Sequence, residues 1–257
     1  MIQPGRFVLF QGDSFRLMQR IRTSCVDAVI TDPPYGTTAL AWDHKIDLEA
    51  WWGNVDRILK PNGVAVVFSQ QPFTTEVINS NRRHFRYELI WKKTAPVGFL
   101  DAKVRPMRIH ENILVFCRQF RGRDAGSRAT YNPQMVPGKP YRKKADSRVR
   151  TASHYGHVGQ IVEDQVNEGW RYPVDVLEFA NRYGKSLHPT QKPVPLLSWL
   201  VRTFTNENEL VMDMFMGSGR TGVACAETGR RFVGMEQDAN YFQVSVASIR
   251  EALGLVV

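Results

Sequence analysis

Short apolar runs bounded by turn residues alternate with stretches of helical spacing along most of this chain. Residues 7–11, Phe-Val-Leu-Phe-Gln, predict a short strand, and Gly12-Asp13 ends it, with Ser14 placed to cap a helix over 15–21. The apolar run over 26–30 predicts a buried strand over 26–31, and 48–59 carry helical spacing that Pro61-Asn62-Gly63 breaks. Residues 64–68 are apolar throughout and include three valines, the pattern of a strand covered on both faces. A short helix over 75–80 and strands over 87–91 and 112–117 follow. Further on, a short strand is expected within 170–179, a helix apolar on one face over 194–204, and a strand over 210–215. A helix starting at Thr221 and ending near Gly229, a strand over 232–235 and an amphipathic helix over 241–253 complete the chain. The strand–helix–strand rhythm predicts an α/β fold, doubly wound, with a mostly parallel sheet and helices on both faces.

Composition narrows the class. A length of 257 residues fits one sizeable domain, or one with an inserted lobe, and 43% hydrophobic residues can supply its core. No apolar run approaches the ~20 residues of a membrane span, and the N-terminus lacks a signal-peptide pattern. Cys25, Cys117 and Cys225 are scattered and form no Cys-x-x-Cys pair, so they read as small core residues of a protein in the reducing cytosol. His154 and His157 have no partnering ligands and read as loop residues; no metal is expected.

The net charge of +9 suits a polyanionic partner, and its distribution says which. Between 118 and 150 stand Arg118, Arg121, Arg123, Arg128, Lys139, Arg142, Lys143, Lys144, Arg148 and Arg150, opposed only by Asp124 and Asp146. Gly, Pro and Ser are frequent there, Tyr131, Tyr141 and Tyr155 are interleaved or adjacent, and no period is sustained. A charge run is ordinarily a solvated face. This concentration beside a candidate catalytic domain predicts a nucleic-acid contact through phosphate neutralisation.

Two motifs carry chemistry. The buried strand over 26–31 delivers Asp32-Pro33-Pro34-Tyr35-Gly36 to its C-terminal tip, where ligands bind in open α/β sheets. The two prolines fix φ and remove two N–H donors, so the turn presents a carboxylate, free carbonyls and an aromatic face in a rigid frame. The second is Gly217-Ser218-Gly219-Arg220-Thr221-Gly222 after the strand ending at Asp213, with Glu236 near the distance at which a carboxylate binds a ribose hydroxyl pair. Taken alone, this loop fits a nicotinamide dinucleotide or S-adenosylmethionine. The first motif decides, because hydride transfer has no use for it and amine methylation does.

On these residues the chain resembles the beta class of DNA amino-methyltransferases, in which Asp-Pro-Pro-Tyr precedes the cofactor loop. The resemblance covers most of the chain outside 118–186. It implies a circularly permuted, Rossmann-like seven-stranded sheet with one reversed strand. The catalytic half would span 1–117, an inserted basic target-recognition region 118–186, and the cofactor half 187–257. It implies S-adenosylmethionine as cofactor, held by Asp13 near the adenine, by Glu236 at the ribose, and by Asp213, Phe215, Gly217, Ser218 and Gly219 of the loop. Thr190 and Lys192, in the rigid segment Leu187-His188-Pro189-Thr190-Gln191-Lys192-Pro193, would lie near the methionine part, together with Asp32. Met214 and Arg220 depart from the family's usual Pro and Thr. Members are often dimers.

An exocyclic amine is a poor nucleophile because its lone pair is delocalised into the ring. Asp32 and the Pro33 carbonyl would accept the two amino hydrogens and free that pair, Pro34 would keep the turn rigid, and Tyr35 would stack on a flipped base. No Pro-Cys dipeptide is present for ring-carbon methylation. The expected substrate is double-stranded DNA and the expected target adenine N6, because by resemblance Asp is commoner than Ser at the first motif position in adenine enzymes. Cytosine N4, RNA, a protein amide, and an inactive nucleic-acid binder of the same fold are the alternatives.

Overall fold

Side-chain alternation along two central strands builds a core on each face of one sheet. The computed structural model describes residues 6–36, 44–120, 128–145, 151–152, 156–157, 164–181 and 191–255. In chain order the strands are β1 (Phe7–Gln11), β2 (Val26–Thr31), β3 (Leu59–Ser69), β4 (Phe85–Val97), β5 (Arg108–Cys117), β6 (Val136–Pro137), β7 (Tyr141–Lys143), β8 (Thr151–Ala152), β9 (Gly156–His157), β10 (Gln165–Asn167), β11 (Trp170–Arg171), β12 (Val176–Phe179), β13 (Leu210–Asp213) and β14 (Arg231–Glu236). The helices are α1 (Ser14–Met18), α2 (Leu48–Ile58), α3 (Phe73–Ser80), α4 (Val194–Phe204), α5 (Arg220–Glu227) and α6 (Ala239–Ala252).

The main sheet runs β1-β14-β13-β2-β3-β5-β4-β12. All neighbours are parallel except those of β5, which is antiparallel to both β3 and β4. The expected sheet with one reversed strand is therefore present, and β12 adds an eighth strand on the β4 edge. Ala28 and Ile30 of β2, with Val64, Val66 and Phe68 of β3, face the core covered by α4, α5 and α6. Val29, Ala65 and Val67 face the opposite core, under α1, α2 and α3. This two-sided burial explains why residues 28–30 and 64–68 of these strands are apolar without a break.

Several boundaries differ from expectation for local reasons. Asp13, not Ser14, is the N-cap of α1; its Oδ1 accepts from the Arg16 N–H at 2.8 Å, and Ser14 is the first helical residue. Pro61, Asn62 and Gly63 lie within β3 rather than in a separate turn, since α2 passes directly into the strand at Leu59. The hairpin strands β4 and β5 extend well beyond their apolar cores, because each supplies the other's backbone partners.

Two compact units divide the chain: residues 1–132 with 175–257, and 133–174. The second is narrower than the insert expected over 118–186. It contains three two-stranded ladders, β7 with β10, β6 with β11, and β8 with β9. Within it Lys139, Arg142, Lys143 and Lys144 are exposed, Arg142 pairs with Asp164, and the Arg171 guanidinium lies 4.8 Å from the Tyr141 ring centre. Arg118 and Arg128 belong to the first unit. Arg118 donates to the carbonyls of Asp56 and Leu59, at 2.7 and 2.9 Å, and so closes the end of α2. Arg121, Arg123, Arg148, Arg150 and Thr190 lie outside the described residues.

Candidate active site

The direction of the strands creates the site. A cavity of about 1340 Å³ opens along the C-terminal ends of the parallel strands, and the reversal of β5 adds that strand's beginning to the same rim. The sheet order also changes direction between β13 and β2, the position at which open α/β sheets leave a crevice. Asp32 and Gly217 both line this one cavity, so the two motifs face a common space.

The half built on β1, β14 and β13 is acidic. Asp13, Asp213, Glu236 and Asp238 line it, and Arg220 is the cation among them. Glu236 ends β14 and accepts the Gly217 N–H at 2.9 Å and the Asp238 N–H at 2.8 Å, so it ties the glycine turn to the next strand. Burial raises its pKa, against those backbone donors. Gly217, with φ of 51°, and Ser218 line the cavity beside Phe215. Gly219 serves another purpose: at φ of 78° it begins α5, and a Cβ there would stand 2.8 Å from the Ser245 Cβ. Met214 packs in the core and also borders the cavity.

Asp213, expected among the residues that hold the cofactor, lines the cavity. Its carboxylate also accepts from Thr31 Oγ1 and Thr221 Oγ1 at 2.7 Å each and from the Phe215 N–H at 3.1 Å. It thus pins β2 and α5 to the end of β13. Burial pushes its pKa up to about 6, and the three donors only partly oppose that.

The centre of the cavity holds a chain of buried charges. Asp32 Oδ2 accepts from Lys192 Nζ at 2.5 Å, and Oδ1 accepts from the Tyr35 hydroxyl at 2.5 Å. Lys192 Nζ also lies 3.3 Å from Glu111 Oε2, and Glu111 Oε1 accepts from Lys93 Nζ at 2.5 Å. The side chains of Lys192 and Lys93 are each 8% exposed and that of Asp32 24%. Burial, first, and the second carboxylate Glu111 raise the Asp32 pKa against the pull of Lys192. At Glu111, burial is outweighed by Lys192 and Lys93, which hold its pKa below the usual range. Lys192 is held protonated by Asp32 and Glu111 despite its burial. Lys192 and Asp32, both expected near the methionine part of the cofactor, are bonded to each other. Tyr35 is further fixed by stacking on Phe73, with ring centres 5.2 Å apart.

Glu111 and Lys93 were not singled out as site residues from the sequence. Their signal is a charged residue just before one apolar run and another just after its hairpin partner, which converge only because the hairpin is antiparallel. The remaining rim, on β3, β4 and β5, carries Gln70, Gln71, Lys93, Arg105 and Arg108, a basic and amide-rich lining.

This division tests the two cofactors. Carboxylates around the glycine turn suit ribose hydroxyls and a cationic ligand, and they oppose a pyrophosphate. The lining therefore fits S-adenosylmethionine. Among the described residues no helix is long and apolar enough to cross a membrane, and no three His, Cys, Asp or Glu residues group as metal ligands.

Comparison with known proteins agrees with this reading of the fold. A family model described as DNA methylase matches residues 26–247. Curated relatives include the Type II methyltransferase M2.LlaDCHI of Lactococcus lactis subsp. cremoris, 24% identical with 93% of this chain and 87% of the relative covered. The Type II methyltransferase M2.MboI of Moraxella bovis is 26% identical, with 93% and 86% covered. Among solved structures, an M1.HpyAVI–SAM complex superposes with a TM-score of 0.64 at 22% identity, covering 97% of this chain and all of that one. The cytosine-N4-specific PvuII DNA methyltransferase superposes with a TM-score of 0.63 at 16% identity, with 97% and 92% covered.

Proposed function

Because this chain belongs to the DNA methylase family, the S-adenosylmethionine-dependent amino-methyltransferases of DNA, we propose that it methylates adenine at N6 within a specific duplex sequence. The observation that carries this reading is the shared cavity of Asp32 and the glycine turn. As with its relatives named Type II methyltransferases, the proposed role is modification of cytoplasmic DNA beside a restriction activity.

When bound, S-adenosylmethionine supplies a sulfonium methyl for direct displacement by the amine. The Asp13, Glu236 and glycine-turn lining would hold it, with Phe215 against it. The chain's own residues prepare the amine. Asp32 keeps acceptor capacity beyond its bonds to Tyr35 and Lys192, since a carboxylate offers about four lone-pair sites. One amino hydrogen is accepted there and the other by the Pro33 carbonyl, which draws the nitrogen toward a pyramidal shape and releases its lone pair from the ring. Lys192 and Glu111 hold the Asp32 carboxylate in place, so little reorganisation remains for the reaction. Tyr35 and the amides of Gln70 and Gln71 border the space for the extruded base. Lys139, Arg142, Lys143 and Lys144 supply phosphate contacts in the second unit, and Arg128 in the first.

Cytosine N4 is the second reading, since the motif serves either exocyclic amine. Transfer of a tritiated methyl group to DNA, followed by digestion and separation of the bases, tests both. Label in N6-methyladenine supports the proposal, label in N4-methylcytosine selects the second reading, and label in neither removes both. The Asp32→Ala variant separates an enzyme from a binding protein: turnover should vanish while DNA binding persists.

A further inference from the structure

The β4–β5 hairpin has a tip that no step above uses. Residues 98–107 join the two strands, and the base of this segment reaches the cavity, where Val97, Arg105 and Arg108 line the rim. Gly98, at φ of 88°, turns the chain, and Phe99–Asp101 form a 3₁₀ turn. Backbone bonds from Val104 and Arg105 to the Asp101 carbonyl close the tip, and Arg105 Nε donates to Asp101 Oδ2 at 3.0 Å. Its conformation is therefore set internally.

This fixed tip holds large apolar side chains in water. Phe99 is 80% exposed, Leu100 97% and Val104 84%. Adjacent apolar side chains held out in this way mark a contact surface rather than scattered surface residues. The charges around them indicate its partner. Lys103 lies on the tip and Arg108 at its base, and the tip's carboxylate, Asp101, is paired with Arg105, which leaves a net positive charge beside the apolar side chains. An apolar point with a positive border matches a partner that is anionic outside and stacked and apolar inside.

We propose that the tip is a wedge for duplex DNA, with Phe99 and Leu100 entering the base stack beside the target while Lys103 and Arg108 meet the flanking phosphates. Removing a base from the duplex leaves an unstacked gap, and apolar side chains inserted at such steps offset the lost stacking. Continuity with the cavity rim places the wedge next to the site that receives the extruded base. This rests on the reading that the target base leaves the helix.

The test uses the full chain, the Phe99→Ala/Leu100→Ala double variant, and two duplexes of the site that the protein methylates in cellular DNA. One duplex is fully paired, and in the other the target base is mispaired, which lowers the cost of extrusion. The expected result is a fall in kcat/KM of about tenfold or more on the paired duplex, with recovery to within about threefold of wild type on the mispaired one. An equal loss on both duplexes, or no loss on either, overturns the proposal. Sedimentation of the two proteins provides the second measurement: a wild-type dimer that the double variant converts to monomer would make the tip a subunit contact and overturn it as well. Wild-type protein that transfers no methyl to either duplex would instead remove the underlying reading, and the wedge with it.

Discussion

Replacing Asp213 by Asn isolates the energetic consequence of burying that carboxylate. In the native protein Asp213 is 3% exposed and its pKa is raised from 3.8 to about 6, burial being the dominant cause. Its folded-state pKa thus lies above the unfolded one. The stability contributed by its proton is fully present below pH 3.8 and is lost as pH rises through about 6. At about 1.36 kcal/mol per tenfold change in proton affinity, the whole shift is worth about 3 kcal/mol, of which about 2 kcal/mol is lost between pH 4 and pH 7. Asn is isosteric, can still accept from Thr31 and the Phe215 N–H, and does not titrate. Whatever constant cost its amide incurs opposite Thr221, the stability of the variant relative to wild type should improve by about 2 kcal/mol from pH 4 to pH 7. Urea unfolding of both proteins at half-unit pH steps measures this difference, and other titrating groups largely cancel. A difference that stays flat with pH, or that falls as pH rises, would refute the account of Asp213 as a buried anchor opposed mainly by desolvation.

Other outcomes follow from the same geometry. Glu111→Gln removes a like charge that raises the Asp32 pKa, so the acid limb of kcat/KM against pH should move to lower pH; a limb that stays put or moves up contradicts the charge chain. Lys192→Met leaves Asp32 and Glu111 facing each other without their shared cation, and should lower unfolding stability by about 3 kcal/mol or more at pH 8, read from the urea midpoint. Gly222→Ala would place a Cβ 2.4 Å from Ile249 Cδ1 and 2.9 Å from Phe232 Cε1, both fully buried, so it should cost about 1–3 kcal/mol, and Ile249→Val in the same chain should restore part of it in thermal unfolding. Binding of duplex DNA should weaken steeply with added salt, and Lys143→Ala/Lys144→Ala should make the slope of log affinity against log salt shallower by about 1 to 2.

The main-sheet elements and the two motifs are legible in residue order alone, because those are local statements. Two-sided burial makes the centres of β2 and β3 apolar without a break, and a carboxylate, two prolines and a tyrosine at a strand tip can be read without knowing what faces them. The limits of the sequence are equally physical. The resemblance implied that Asp213 helps hold a ligand; only packing shows the three internal donors it also serves, drawn from β2, from its own turn and from α5. Only the tertiary structure brought Lys192 onto Asp32 across 160 residues, and only the antiparallel return of β5 carried Glu111 and Arg108 to the cavity. Hydrophobic periodicity records which face of an element is covered; it carries no record of which distant charge shares that cover. The partnership of buried ions is set by strand order and direction, and those emerge when the whole sheet assembles.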